Sequence, residues 1–563
     1  MATTRSLERL AAAVGMLESA RIEFDLAQDV PAGGVLCALP ALLAWGLLRH
    51  TRKTFALPPG FYPLETIFLL LSFLALARIA SLEQLRYEPP GEWGKLVGLD
   101  RIPEVKTLRA KLSLLCADEE RLRQWSATLA QEWMAGEPES AGVLYVDGHV
   151  RVYHGQLTQL PRRYVARERL CLRGTTDYWV NAMDGQPFFV VTQPVDPGLI
   201  QVLEEQIVPR LLAEVPGQPT QEQLDANPLL HRFVMVFDRE GYSPELFARL
   251  KQQRIAVISY HKFPGEDWPV EEFSQSTVRL VNGEEVKLET AERGVRLSNG
   301  LWVREIRHRE GSGHQTSMLA TDYINPLTRV AGRMFARWCQ ENFFKYMREH
   351  YSLDSLIEYE TQPLPETTRV VNPAWRELDR QARRQAALLT REQAQFGGLN
   401  LPTQASAEEA VRHEQQKGQL LQSIQQRQSQ LESLKAERKA AGKHVLWKDL
   451  PEKDRFSQLA TGKKHLVDTI KLIAYRAETS LVQVLREKMA RTDDARALAR
   501  QIFQSSVDLQ PDMEEKTLTV KLHRLSFQAH DQALDHLCQE LTQTETLFPG
   551  TELKLVFRPV GST

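Results

Sequence analysis

The sequence predicts a multidomain α/β protein in which a mixed sheet with a β-rich insertion is flanked by a helical N-terminal region and by helical and small α/β C-terminal regions. Three observations carry this reading. Near Ala141 the chain changes from 3.6-residue periodicity to short β-rich runs. Two apolar runs, Leu144-Tyr145-Val146 and Phe233-Val234-Met235-Val236-Phe237, each stop at an aspartate. Between about 262 and 320 the pairs Asn282-Gly283 and Asn299-Gly300 punctuate alternating apolar and polar positions, a short-range hairpin signal. A chain of 563 residues is also too long for one ordinary domain.

Residues 1–138 read as a helical domain, with amphipathic stretches at Val105–Leu115 and Glu119–Met134. The apolar runs Val35–Leu48 and Ile67–Ala77 fall short of the roughly 18–20 residues that span a bilayer, so they are expected to be buried helices. Residues 139–365 carry the sheet. Gly142–His149 and Val150–His154 read as two strands about a glycine, Phe188–Gln193 as a third, and Leu199–Val215 as an amphipathic helix. Arg232–Asp238 and Ile255–Ser259 read as buried strands on either side of a helix Ser243–Gln252, with Ser243 as N-cap and Pro244 in its first turn. After the insertion, Leu327–His350 reads as one long helix. Residues 366–450 are rich in Gln, Arg and Glu, and Glu408–Ala440 predicts a long exposed helix or coiled-coil arm. Residues 451–563 close the chain with helices, strands at Thr517–Leu522 and Glu552–Arg558, and a helix Gln528–Thr542 between them.

Composition, at 42% hydrophobic and 25% charged, excludes collagen-like and wholly disordered classes. The net charge of −2 averages over domains and does not exclude a local phosphate-binding patch. Leu431–Arg491 holds 14 Lys/Arg against 8 Asp/Glu, a modest surplus expected on a solvated helical surface. Five cysteines without a C-x-x-C pair argue against a zinc site or a disulfide framework and fit a reducing, cytoplasmic setting.

Asp147 and Asp238 end two apolar strands, and ligands of open sheets collect at the carboxyl ends of strands. Glu341 lies in the helix that follows the insertion. On a helical wheel Arg337, Glu341, Lys345 and Arg348 share one face, while Phe335, Trp338, Cys339, Phe343 and Met347 are expected against the sheet. Three carboxylates are a donor set for Mg²⁺, which takes hard oxygen ligands. Two such ions, for which Mn²⁺ can substitute, activate the attacking oxygen and stabilise the leaving one in phosphodiester chemistry. Asp147 would then bridge both ions, with Asp238 on one and Glu341 on the other. Arg337, Lys345 and Arg348 would clamp phosphate.

The strand order, the three acidic positions and the β insertion before the glutamate helix resemble bacterial insertion-sequence DDE transposases. One subset of these carries the helix signature Tyr-x2-Arg-x3-Glu-x6-Lys. The same spacing here gives Met334, Arg337, Glu341 and Arg348, so Arg and Glu match, Lys becomes Arg and Tyr is absent. The resemblance covers about 139–365. It implies a ribonuclease-H-like catalytic core, a DNA-binding role for the helical residues 1–138, Mg²⁺-dependent cleavage at terminal inverted repeats of double-stranded DNA, strand transfer into target DNA, and a homodimer in the DNA complex with no membrane partner. It also implies a base-stacking tryptophan in the insertion, Trp302 or Trp268. Arg162 and Arg163, in a basic run extending to Arg173, are expected to track DNA backbone. A domesticated nuclease that cuts without joining, or a catalytically silent DNA-binding relative, would share much of this pattern. A haloacid-type hydrolase would need a D-x-D pair where this chain has Asp147-Gly148-His149. His149 and His154 are not required by two-metal chemistry, and Gly311-Ser312-Gly313 lacks the Lys-Ser/Thr of a phosphate loop.

Overall fold

A computed structural model describes residues 5–561, except 156–159, 166–167, 194, 196, 282, 356, 358–359, 402–405 and 526–529, and describes only the backbone of Arg163 and Tyr164. The chain forms two compact units, one of residues 1–153, 163–359 and 460–563, the other of residues 154–162 and 360–459.

The first unit is built on a ten-stranded sheet. Its strands are β1 (Val143–Val152), β2 (Arg162–Val165), β3 (Leu170–Asn181), β4 (Pro187–Gln193), β5 (Val234–Phe237), β6 (Ala256–Tyr260), β7 (Ser274–Arg279), β8 (Glu285–Arg296), β9 (Trp302–Arg309) and β10 (Gln315–Ala320). Their spatial order is β2-β3-β1-β5-β6-β10-β9-β8-β7, with β4 also paired to β3. The central β1, β5 and β6 run parallel, and β3 is antiparallel to β1 and β4. Every residue of β5 is buried, as expected of a parallel strand covered on both faces. The insertion is β-rich, as its sequence predicts. It forms an antiparallel meander that extends the sheet through β10 against β6. Gly300 turns the β8–β9 hairpin at φ +81°, a conformation open to glycine, whereas Asn282 of the other turn lies outside the described residues.

Three local readings need correction. Val150–His154 is not a second strand: β1 continues through Asp147 and Gly148 to Val152, so Asp147 lies within the strand and not at its end, and β1 pairs with β3, which begins in the basic run Arg162–Arg173. The expected helix Leu199–Val215 contains a π turn at Leu203–Ile207. Pro209 follows it and has no N–H to give to the carbonyl four residues back, so the ladder must open before it. The expected single helix Leu327–His350 is two, Leu327–Phe335 and Arg337–Tyr351, parted at Ala336, where ψ is −9°. The break falls where the covering helix changes partners. Val330 and Met334 pack with Val143, Tyr145, Val234, Val236 and Ile258, whereas Phe343 and Phe344 pack against Trp179.

The other face of the sheet, through Leu144, Val146, Met235, Phe237 and Val257, belongs to a core shared with the N- and C-terminal helices. Both early apolar runs are buried there. Ile67–Leu76 lies in the helix Leu64–Leu76, capped by Ala77, and this helix packs on Gly462–Arg486. Val35–Leu48 instead spans a 3-10 turn and the short helix Leu39–Ala44. Among the described residues no helix is long and apolar enough to cross a membrane. The terminal α/β element includes two strands the sequence reading left out: Val507–Asp512 pairs with Thr517–Leu522, and Ala27–Val30 joins its outer edge. Lys554–Pro559 completes this sheet parallel to Thr517–Leu522.

The second unit is a hairpin of helices Pro373–Gly398 and Ala407–Ala441, which run antiparallel and pack along their length. Its seam is largely polar, in keeping with the sparse apolar heptads. Glu392 accepts from Arg427 Nε at 2.6 Å and Ser423 Oγ at 3.0 Å, and Arg438 donates to Asp379 at 2.6 Å. Short strand pairs at Arg369–Val371 with His444–Leu446, and at Thr361–Gln362 with Gln458–Leu459, close its base.

Candidate active site

Strand register brings Asp147 and Asp238 side by side. Val146 pairs with Phe237 in the parallel β1–β5 ladder, so the next residue on each strand is an aspartate at the same level, one strand spacing of about 4.8 Å apart. Alternation puts Asp147 on the face of Val143 and Tyr145, and Asp238 on the face of Val234 and Val236. That is the face crossed by the Leu327–Tyr351 helices. Tyr260 stands at the corresponding position on β6, because Phe237 pairs with Ser259. Asp238 also begins a tight turn, its carboxylate accepting from the Glu240 N–H at 2.8 Å, while Ser259 Oγ donates to its carbonyl.

The helix Arg337–Tyr351 is fixed over this pair by polar contacts. Tyr145 Oη donates to the Arg333 carbonyl at 2.6 Å. Gln340, which is 1% exposed, aims its amide nitrogen at the carbonyls of Tyr145 and Trp179 and at Asn181 Oδ1, at 3.1, 3.3 and 2.9 Å. These contacts set the helix so that Arg337 enters the site. Its Nη2 lies 3.0 Å from Asp147 Oδ2 and 3.7 Å from Glu341 Oε1, which holds those two oxygens within about 6.7 Å of each other. The Asp147 and Arg337 side chains keep 19% and 13% of their exposure, whereas Glu341 keeps 62%.

Burial pushes the Asp147 carboxyl above its usual range; Arg337 opposes that push and Asp238 adds to it. Burial likewise works against the Arg337 guanidinium, but Asp147, Asp238 and Glu341 outweigh it and raise its pKa. Tyr260 is pushed up, first by burial, and feels Arg337, Glu341, Arg239 and Asp238. The three carboxylates therefore share one electrostatic site with Arg337 among them. Chemically it offers hard oxygen donors to a cation, the set that suits Mg²⁺.

A family model described as "Transposase protein" matches residues 1–561. The chain belongs to this family of transposase proteins. No curated protein matches it. Among solved structures it is similar to a piggyBac transposase synaptic complex with hairpin DNA, solved by cryo-EM, at 11% identity. That match covers 56% of this chain and 68% of the other, with a TM-score of 0.29.

In this transposase-family chain the other candidate residues are scattered more widely than their spacing suggests. Lys345 is exposed on the site helix. Arg348 donates to Asp354 at 3.2 Å, and the same carboxylate meets His149 Nε2 at 2.5 Å. Arg337, expected with these two as a phosphate clamp, is turned inward onto Asp147. Trp338, expected against the sheet, is 46% exposed, and Gln340 takes the inward position. Arg162 is exposed, and the side chain of Arg163 lies outside the described residues.

Trp302 does not stand beside the carboxylates. Tyr260 is level with Met318 and, through it, with Ile306; Trp302 is four residues further down β9, about 13 Å along the strand and two strands across. There it stacks on Tyr323, with ring centroids 5.4 Å apart, at the opposite end of the sheet. Trp268 is buried between the guanidiniums of Arg293 and Arg307, at 4.5 and 4.3 Å. The basic surplus of Leu431–Arg491 is not a solvated patch throughout, because Lys464, Lys471 and Arg476 are buried.

The residues missed from sequence are Gln340, Tyr260, Arg239 and Asp354. Tyr260 had a signal, since it ends the same kind of apolar run as Asp147 and Asp238. The other three had none. Among the described residues a compact cluster of ligand-type atoms lies elsewhere, at Asp29, Asp508 and His523. Within that cluster His523 engages the aspartates through different ring nitrogens, at 3.6 and 3.0 Å, as a paired histidine does.

Proposed function

We propose that the chain is a DDE transposase with a ribonuclease-H-like catalytic core, which cuts double-stranded DNA at terminal inverted repeats and joins the ends to target DNA as a homodimer. The observation that carries this reading is the pair Asp147 and Asp238, level on neighbouring parallel strands, beneath the helix that bears Glu341. The strand order β4-β3-β1-β5-β6, antiparallel at β3 and parallel from β1 to β6, supports the core assignment. The residues fit a hard divalent cation: the donors are all carboxylate oxygens, and a buried guanidinium already stands among them. Asp147, Asp238 and Glu341 would hold Mg²⁺, as two ions with Mn²⁺ able to substitute, and bound there it would activate the attacking oxygen and stabilise the leaving oxygen.

The chain's own residues do the rest. Gln340 and Tyr145 keep the Glu341 helix in register over the strand ends. The exposed cations Lys345, Arg348 and Arg162 meet DNA phosphates. The test is a supercoiled plasmid carrying the element's ends, incubated with the full chain in Mg²⁺ or Mn²⁺. Nicked and joined products are expected from the native chain and none from Asp147→Asn, Asp238→Asn or Glu341→Gln. Cleavage that persists in Asp238→Asn overturns the assignment, and nicking without joining selects the nuclease alternative.

A further inference from the structure

We propose that Arg337 is a resident counter-ion that keeps the carboxylate site closed to divalent cations until DNA draws its guanidinium away. This rests on the metal-dependent reading of the same site. One nitrogen of Arg337 serves both Asp147, at 3.0 Å, and Glu341, at 3.7 Å, from a position 13% exposed. The guanidinium thus occupies the space between the oxygens that a cation would have to bind. A divalent ion placed there would meet a full positive charge at contact distance, in surroundings less screening than water. An arginine cannot relieve this by losing its proton, as a lysine can. It has to move.

The geometry also supplies a reason for the contact and a way out of it. Asp147 is largely buried, and among the described residues its carboxylate accepts from Arg337 and from the N–H of Gly148 at 2.8 Å. With Asp238 on the next strand, the pair would face each other uncompensated without a cation. On the helix, the residue one turn on from Arg337 is Glu341, 62% exposed, so a short swing carries the guanidinium from the strand ends to the open surface. A DNA phosphate there is a bidentate partner for a guanidinium. DNA binding and metal binding are then coupled, each favouring the other.

Mn²⁺ titration of the full chain, followed by electron paramagnetic resonance of the free ion, reads this without any catalytic turnover. Without DNA, Arg337→Ala and Arg337→Gln should each bind Mn²⁺ about tenfold or more tightly than the native chain, since removing one contact charge relieves a repulsion of that order. Adding Asp147→Asn should erase the gain. In the native chain a duplex oligonucleotide should tighten Mn²⁺ binding, an arm that does not depend on any variant folding. Unchanged or weaker binding in both Arg337 variants, or no tightening by duplex in the native chain, overturns the proposal while leaving the metal site standing. Absence of Asp147-dependent Mn²⁺ binding under every condition overturns the metal site itself, and the proposal with it.

Discussion

Gln340 ties the site helix to the sheet, and substituting it separates the stability of the fold from the geometry of the site. Its amide has two hydrogens for three acceptors, the carbonyls of Tyr145 and Trp179 and Asn181 Oδ1, and its Oε1 makes no hydrogen bond among the described residues. Gln340→Leu keeps the volume and removes the donors, leaving buried acceptors short of a partner. Because it also removes the orphaned Oε1, the net loss is expected at the lower end of about 1–3 kcal/mol. Gln340→Glu is harsher, since an ionised carboxylate would face three oxygens with no cation in contact. The loss should reach about 3–5 kcal/mol at neutral pH.

The two variants differ in pH dependence. A carboxyl facing acceptors has its folded pKa raised, so its penalty is absent below the ordinary value of about 4.3 and grows as pH rises through the folded pKa. Urea denaturation at several pH values should therefore show Gln340→Glu approaching the native chain in acid and falling away from it above neutrality, while Gln340→Leu stays at a constant offset. DNA cleavage should fall in both at denaturant-free conditions where each is fully folded, because Glu341 and Arg337 flank the lost tether. A Gln340→Glu chain as stable as the native one at neutral pH would refute the reasoning.

Asp147→Asn, Asp238→Asn and Glu341→Gln should abolish cleavage and leave duplex binding within a few-fold of native in a filter-binding assay, since affinity comes mostly from phosphate contacts. Lys345→Ala should lower the slope of log K against log salt by about 0.9 if Lys345 meets duplex phosphate, and an unchanged slope returns it to a solvated surface charge. Trp302→Ala should cleave at the native rate, because Trp302 lies at the end of the sheet away from the carboxylates; a large loss would show that this aromatic reaches the reacting DNA. Lys471 is buried, and burial lowers its pKa to about 7. A depressed lysine destabilises the fold when charged, so stability should fall as pH drops from the ordinary range through about 7. Lys471→Met should lack that dependence, and thermal melts from pH 6 to 10 decide it.

What the sequence made legible follows from the range of the signals. β5 and β6 are short apolar runs with all or nearly all residues buried, and their aspartate and tyrosine ends need nothing beyond the strand itself to be noticed. The insertion was legible for the same reason, because Asn299-Gly300 specifies its turn locally. β3 was not. Leu170–Asn181 holds Arg173, Thr175, Thr176 and Asp177, a polar stretch without strand alternation, yet Asp177 is fully buried, with Arg151 of β1 against it at 2.6 Å. Two charges on separate strands hide one another only after the strands have paired, so neither position discloses the pairing in advance.

The same limit explains Arg337. On a helical wheel it belongs with Lys345 and Arg348, and spacing alone gives all three to solvent. What turns Arg337 inward is a largely buried carboxylate 190 residues earlier in the chain, midway along β1. A wheel records which side chains of one helix share a face but not where that helix stands relative to the sheet. Here that placement is set by Gln340 and Tyr145, a glutamine that no spacing rule singles out and a tyrosine read only as part of an apolar strand. The two aspartates could be found from the ends of apolar runs; the cation among them could be found only once the helix was fixed over the sheet.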